Sequence, residues 1–307
     1  MRRSVVAALL LVAALAVVSG CAGPVGAPVD ASVSASPPPS VTAPTPVSVT
    51  ASPSATASPS ATASRGAVAL PDVHLAGVND PSCRSEHPPV VLLPGTFSTV
   101  AGNFTPLAAA LAADGRCVYG TNYGLGGVAP VRDSAASVTA VVEDVLAVTG
   151  ADRVDVVAFS QGGLVLRTAL RLDGLADRVG TAVLIAPTFH GTTSPLLDGV
   201  PGLACPACAD QTAGSALLTE LAAGGDLDGD VRYATISSLD DTVVTPVQAQ
   251  SPAGPADRVT SLIVQDRCPS VRLEHLAMPG DARVIGWVRQ ALATRGRPDP
   301  SAFACPK

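Results

Sequence analysis

The strongest constraint on the fold is an apolar, β-branched run that ends in a serine between small residues, Val154-Asp-Val-Val-Ala-Phe-Ser160-Gln-Gly-Gly-Leu164. The apolar run predicts a buried strand, and a helical pattern begins directly after Ser160. So sharp a turn strains the serine backbone, and its neighbours two positions away must be small. Ala158 and Gly162 meet that requirement, and Gly163 lets the helix pack closely against the strand. The stretch therefore predicts a nucleophile elbow of the G-x-S-x-G type, with Ala158 at the first glycine position.

Short apolar strands alternate with helical patterns through the rest of the chain. The predicted strands are residues 90–93, 116–120, 153–159, 178–185, 231–236 and 259–264. The predicted helices are residues 106–113, 133–148, 162–172, 215–223 and 281–294, with a polar loop at 96–103. This alternation predicts an α/β fold, with a mostly parallel sheet covered by helices on both faces. Such a sheet places its active site at the carboxyl ends of the strands.

The first 66 residues do not have the composition of a folded domain. Residues 1–20 have a positive start and a short apolar stretch, which predicts an export signal that ends before Cys21. The last residues of this segment resemble the lipobox of bacterial lipoproteins, in which the cysteine receives a lipid; the alternative is an ordinary signal peptide. Residues 21–66 are rich in Ala, Pro, Ser and Thr, which predicts a disordered tether. We therefore expect an exported catalytic domain at 67–307, anchored to the membrane through Cys21 and not spanning it.

Charge and cysteine content bound the partners of the chain. The net charge of −6 leaves no basic surface for nucleic acid, and we expect a monomer. Besides Cys21 there are six cysteines, an even set that fits three disulfides in an exported domain but allows fifteen pairings. Cys205 and Cys208 could also form half of a zinc site or a redox motif. No second C-x-x-C or histidine pair accompanies them, so a local disulfide is preferred and no metal or cofactor is expected.

A serine hydroxyl needs a base to remove its proton, and the chain has four histidines. His275 follows the last predicted strand and precedes the closing helix, the position of the base in α/β-hydrolases. His74 and His87 precede the first sheet strand and are expected on the surface. His190 follows a strand as well, and we expect it to be structural or to line the substrate site.

The acid that orients the base should follow a strand between the serine and the histidine. Asp240 and Asp241 both follow the strand at 231–236, and the pattern leaves both as candidates. Either one completes the Ser–Asp–His order of α/β-hydrolases.

Acyl transfer also requires backbone N–H donors for the oxyanion of the tetrahedral intermediate. Gln161, directly after the serine, should supply one. Thr96 should supply the other, since Gly95 lets the loop after the first strand approach the serine. The alternative for this loop is a plain strand-terminating turn.

Several stretches, taken together, resemble lipases of the lipase B type and related bacterial lipases. They run in the same order over about residues 80–305: Val91–Thr96, Ser160–Val165, Ala186–Pro187, Gly191–Thr192, Gln211–Leu217, Asp241–Pro246 and Glu274–His275. The resemblance implies an α/β-hydrolase fold that hydrolyses carboxylic esters, of lipids or of other acyl groups, through an acyl-enzyme and without a metal.

The same resemblance assigns roles to individual residues. It makes Ser160 the nucleophile, His275 the base, and Asp241 rather than Asp240 the acid. It retains Thr96 and Gln161 as the oxyanion donors. It also implies three disulfides, which are Cys83–Cys117, Cys205–Cys208 and Cys268–Cys305.

The chain departs from these lipases around the substrate. Phe159 stands where they have a tryptophan, and Thr188 corresponds to an acidic residue near their pocket; we expect both to bind substrate. The Cys205–Cys208 segment is an insertion where they have a small mobile cover. The residues also allow a cell-envelope acyltransferase with the same triad, or a non-catalytic surface protein with a retired hydrolase fold.

Overall fold

The computed structural model describes residues 68–196 and 204–305. The predicted export signal, Cys21 and the tether at 21–66 lie outside the described residues. Within the two described ranges, no helix has both the length and the apolar character needed to cross a lipid bilayer.

Six parallel strands form one sheet in the order β2-β1-β3-β4-β5-β6. Their bounds are β1 Val90–Leu93, β2 Val118–Gly120, β3 Val154–Phe159, β4 Val179–Ile185, β5 Arg232–Ser237 and β6 Val259–Ile263. Each strand lies within two residues of a predicted one at both ends. The predicted parallel sheet is therefore confirmed, with β3 and its terminal serine near the centre.

A short 3-10 helix, Val247–Gln250, lies between β5 and β6, and α-helices lie in the connections from β1 through β5 and after β6. Their bounds are α1 Val100–Ala113, α2 Gly124–Gly127, α3 Val131–Thr149, α4 Gln161–Leu172, α5 Pro206–Gln211, α6 Ala216–Ala222, α7 Val264–Arg267 and α8 Ala282–Ala293. A 3-10 helix, His275–Gly280, precedes α8. The helix predictions for α3, α4, α6 and α8 are confirmed to within two residues.

The core has two layers because the strand side chains alternate between the two faces of the sheet. In β1, Val91 and Leu93 pack into the layer formed with α3, α4 and α6. Val90 and Leu92 point the other way, into the layer formed with α1 and α8. Helices therefore cover both faces, and the edge at the carboxyl ends of the strands is left for loops.

The prediction for α1 was wrong at its start. The helix begins at Val100, not at Pro106, so it takes up part of the predicted loop at 96–103. Thr99 caps it, with its hydroxyl oxygen accepting a hydrogen bond from the Gly102 amide at 3.0 Å. The cap supplies a helix start ahead of the proline, and the loop after β1 is correspondingly short.

Three disulfides are present in the described residues: Cys83–Cys117, Cys205–Cys208 and Cys268–Cys305. This is the pairing that the resemblance implied. Cys205 and Cys208 bond to each other, so they are not available to a zinc ion. Disulfides of this kind persist in oxidising compartments and indicate an exported domain.

Candidate active site

The turn between β3 and α4 has the strained geometry expected of an elbow. Ser160 has φ 54° and ψ −120°, a conformation that few residues other than glycine adopt. A side chain at Gly162 would collide with the carbonyl oxygen of Leu93. A side chain at Gly163 would collide with Pro187. This glycine therefore makes room for the loop after β4. The sequence had indicated instead that it allows close packing against the strand.

Ser160 begins a chain of two hydrogen bonds that ends at a carboxylate. Its Oγ lies 3.0 Å from Nε2 of His275, and Nδ1 of that ring lies 2.8 Å from Oδ2 of Asp241. All three residues are at most 6% exposed. The carboxylate fixes the Nδ1–H tautomer, which leaves Nε2 free to accept the serine proton.

The structure separates the two candidate acids. Asp241 Oδ1 accepts the amides of Val243 and Val244 at 2.8 and 2.9 Å, so its second oxygen faces His275. Asp240 points away and accepts the Leu273 amide at 2.9 Å. Asp240 thereby ties down the loop that leads to His275 but does not touch the histidine ring.

Two backbone amides next to Ser160 are free to bind an oxyanion. The N–H groups of Thr96 and Gln161 donate to no acceptor among the described residues. Gly95 allows the close approach, because a side chain there would lie 3.2 Å from Cβ of Ser160. The predicted donors therefore flank the nucleophile on two sides.

Three contacts hold the loop that carries Thr96. The Gly95 amide donates to Oδ1 of Asn103 at 3.0 Å. The Tyr123 hydroxyl donates to the carbonyl of Pro94, and burial raises the pKa of this phenol, so it stays a donor. Gly127 has a positive φ and packs so closely that a side chain there would lie 3.1 Å from Cα of Thr96.

Two glutamines have roles that the sequence reading missed. Gln211 donates from Nε2 to the Thr96 hydroxyl at 3.1 Å, and the hydroxyl oxygen lies 3.5 Å from Oε1 of the same side chain, a long contact for its own proton. Gln250 donates from Nε2 to Oδ2 of Asp241 at 3.0 Å. Both side chains are buried and reach across the fold from other elements. Gln211 lies in a stretch that matches the resemblance, which was the one available signal for it.

The two residues expected to bind substrate are both buried. Phe159 is 2% exposed, and its ring centroid lies 4.8 Å from that of His275. The Phe159 ring therefore packs against the imidazole ring of His275. Thr188 is 1% exposed and donates its hydroxyl proton to Oε1 of Gln211 at 3.2 Å. Thr188 thus reaches the candidate oxyanion site through the glutamine.

The other histidines stand apart from Ser160. Nε2 of His190 lies 3.0 Å from both carboxylate oxygens of Asp226, and its Nδ1 lies 3.1 Å from the Ala249 carbonyl oxygen. His74 and His87 are exposed, as expected. Across the described ranges, no group of three or more His, Cys, Asp or Glu residues is arranged to hold a metal ion.

An apolar rim surrounds the candidate site. The described residues have five exposed large apolar side chains, and each follows a different strand at its carboxyl end: Phe97, Leu125, Leu196, Leu239 and Leu276. Ser160 directly follows the remaining strand, β3. Because the strands are parallel, all six positions meet at one edge of the sheet.

Comparison with known proteins gives one family match and several similar structures. Residues 87–272 match the protein family described as Lipase (class 2). Aspergillus fumigatus lipase B aligns with a TM-score of 0.62 and 23% identity, over 70% of this chain and 55% of that one. A Listeria innocua protein aligns with a TM-score of 0.49 and 14% identity, over 70% of this chain and 97% of that one. No curated protein matches the sequence.

The similarity to the Aspergillus structure confirms the predicted α/β-hydrolase fold. The chain spans about half the length of that protein, 55%. The likeness therefore concerns the architecture of the described domain.

Proposed function

The chain belongs to the class 2 lipase family, and on that premise we propose that it hydrolyses carboxylic esters of lipids with Ser160 as nucleophile. The observation that carries the proposal is the hydrogen-bonded chain Ser160–His275–Asp241 beside two free backbone amides. Each of these groups has a defined role in acyl transfer: nucleophile, base, orienting acid or oxyanion donor.

In the first half of the proposed reaction, Ser160 Oγ attacks the ester carbonyl carbon while His275 Nε2 takes the hydroxyl proton. Asp241 stabilises the imidazolium that forms. The negative charge that develops on the carbonyl oxygen is met by the amides of Thr96 and Gln161, and the Thr96 hydroxyl adds a third donor. His275 then gives its proton to the leaving alcohol, and an acyl-enzyme remains.

In the second half, water replaces the alcohol. His275 takes a proton from the water molecule as its oxygen attacks the acyl carbon, and the same donors hold the second oxyanion. The proton returns to Ser160 Oγ as the acid leaves. No step requires a group beyond these side chains and amides.

The apolar rim favours lipid esters over small soluble ones as substrates. Phe97 adjoins Thr96 and Leu276 adjoins His275, and they are 63% and 80% exposed. Large apolar side chains so exposed are unfavourable in water but favourable against acyl chains. The rim places such contacts on either side of the proposed nucleophile.

Export and anchoring belong to the same proposal. The three disulfides support a site of action outside the cytoplasm. Anchoring through Cys21 stays a prediction, because this residue lies outside the described part of the chain. Replacing Cys21 by serine should move the protein from the membrane fraction to the medium, as detected by immunoblotting.

The test of the proposed reaction combines a fluorophosphonate probe with an acyl-chain series. The wild-type chain should be labelled and should cleave p-nitrophenyl palmitate in emulsion faster than the butyrate, and Ser160→Ala should do neither. Undiminished turnover by Ser160→Ala would refute the assignment of the nucleophile. An unlabelled wild-type chain would indicate a retired hydrolase fold, and ester products formed with an added alcohol in preference to acid would indicate an acyltransferase.

A further inference from the structure

A large cleft lies at the edge of the sheet opposite the candidate active site, where the strands begin. Its volume is about 1000 Å³. The residues that line it precede or begin all six strands, or belong to α8 and the segment after it. Since the candidate active site lies at the carboxyl ends of the strands, none of its residues reaches this cleft.

Arginine is concentrated in the lining of the cleft. Six arginines line it: Arg116, Arg153, Arg232, Arg258, Arg289 and Arg295. Four carboxylates lie among them: Glu86, Asp114, Asp155 and Asp230. The cleft thus has an excess of positive charge in a chain whose net charge is −6.

Part of this charge is already paired, and part is not. Arg289 forms two hydrogen bonds with the carboxylate of Asp114, and Arg258 donates to backbone carbonyls. Within the described residues, Arg153, Arg232 and Arg295 form no ion pair or side-chain hydrogen bond. Three guanidinium groups in one cleft therefore retain their full capacity to bind an anion.

Arg116 adds an unpartnered donor at the base of the cleft. Its side chain is 6% exposed, and its Nη1 has no hydrogen-bond partner. The nearest carboxylate oxygen, Oδ2 of Asp155, lies 3.9 Å away, which is too long for a hydrogen bond. A buried guanidinium with an open donor is unfavourable unless an acceptor reaches it.

Asp155, the carboxylate nearest to Arg116, does not satisfy the open donor of that guanidinium. This carboxylate begins β3 beside Arg116, and burial raises its pKa to about 6. Its Oδ1 accepts the Thr181 amide at 3.0 Å, and its Oδ2 is too far from Nη1 of Arg116 for a hydrogen bond. Nη1 of Arg116 is therefore left without an acceptor, which an anion in the cleft would supply.

We propose that this cleft is a binding site for a water-soluble polyanion with phosphate or carboxylate groups, separate from the ester-hydrolysing site. Arg116 would hold one anionic group at the base of the cleft. Arg153 and Arg232, which are half-buried at the starts of β3 and β5, would hold the others. The planar fork of arginine suits both kinds of group, because each offers two oxygens side by side.

The test measures binding of citrate and of inorganic tripolyphosphate to the full-length chain by calorimetry at fixed ionic strength. At least one of them should bind saturably. Arg153→Gln with Arg232→Gln should weaken that binding by at least about tenfold, since each change removes a charge-assisted hydrogen bond. These two side chains are chosen because Arg116 is buried and its replacement could prevent folding.

The matched control is Arg84→Gln with Arg132→Gln, which removes the same charge outside the cleft and should leave binding unchanged. Thermal melting followed by circular dichroism verifies that both double variants fold. If neither anion binds, or if the control pair weakens binding as much as the cleft pair, the arginines serve only to stabilise the fold. Binding to phosphatidylglycerol vesicles without binding to either soluble anion would also overturn the proposal.

Discussion

Replacing Asp241 by asparagine tests the geometry around His275, because the hydrogen bonds of the carboxylate decide how the new amide must lie. Oδ1 accepts two backbone amides, those of Val243 and Val244. An asparagine that turned its NH₂ group toward them would leave two buried donors unpaired, at about 1–3 kcal/mol each. The opposite orientation places the NH₂ group against only one such donor, Nε2 of Gln250, so the amide oxygen should stay at the Oδ1 position and the NH₂ group should face the histidine.

That orientation imposes the wrong tautomer. An NH₂ group beside Nδ1 of His275 needs an acceptor there, so the ring proton moves to Nε2. Nε2 then donates to Ser160 Oγ and can no longer accept its proton. We expect kcat to fall about 10⁴-fold, equivalent to about 5.4 kcal/mol in the barrier.

Asp240→Asn is the matched control, since it makes the same change one residue away. Asp240 contacts the Leu273 amide and Gln265 but not the histidine, so its loss should lower kcat less than about tenfold. The assay is steady-state hydrolysis of a p-nitrophenyl ester by both variants. If Asp241→Asn kept more than a tenth of wild-type kcat, or if Asp240→Asn were the more damaged, the assignment of the acid would be refuted.

Three further changes test other parts of the structure. Thr96→Val removes a hydroxyl but keeps the amide, and should lower kcat about 10²-fold with KM little changed in the same assay; an unaltered kcat would exclude the hydroxyl as a donor. Gly162→Ala should lower the free energy of unfolding by roughly 1–3 kcal/mol in urea, because its methyl group meets the Leu93 carbonyl oxygen, whereas Gly286→Ala, which has open space in α8, should not destabilise the protein. Burial raises the pKa of Asp155 to about 6, so the folded state binds this proton more tightly than the unfolded chain does. The protonated form therefore stabilises the fold at low pH, and this contribution is lost as pH rises from about 4 to above 6. Asp155→Asn should therefore flatten that part of the stability curve, by up to about 3 kcal/mol in chemical denaturation across pH; an unchanged slope would contradict the buried carboxylate.

The sequence was sufficient for features that local pattern encodes. The elbow at Ser160 is a strand, a turn and a helix within eleven residues, marked by an apolar run, small residues and a helical pattern in turn. The position of His275 followed from the order of strands and helices. Parallel strands then bring such loop residues together at one edge without any knowledge of side-chain contacts.

The sequence was insufficient where a contact depends on side chains far apart in the chain. Gln211 meets Thr96 across 115 residues, and neither glutamine of the site has a local signature. The choice between Asp240 and Asp241 depended on which one the neighbouring amides fix, a property of the folded loop. The arginine cleft likewise combines the starts of several strands, which the chain visits one after another.

The parallel sheet also gives the molecule a direction. A mixed or antiparallel sheet would place strand starts and ends at both edges, but here every connection returns the chain to the same starting edge. Because all six strands are parallel, the two edges can have opposite solvent preferences, with Leu276 and Phe97 on one and Arg153 and Arg232 on the other. A molecule bound to a lipid surface through its apolar edge would hold the charged edge toward the water. It could then engage a dissolved partner without leaving the surface.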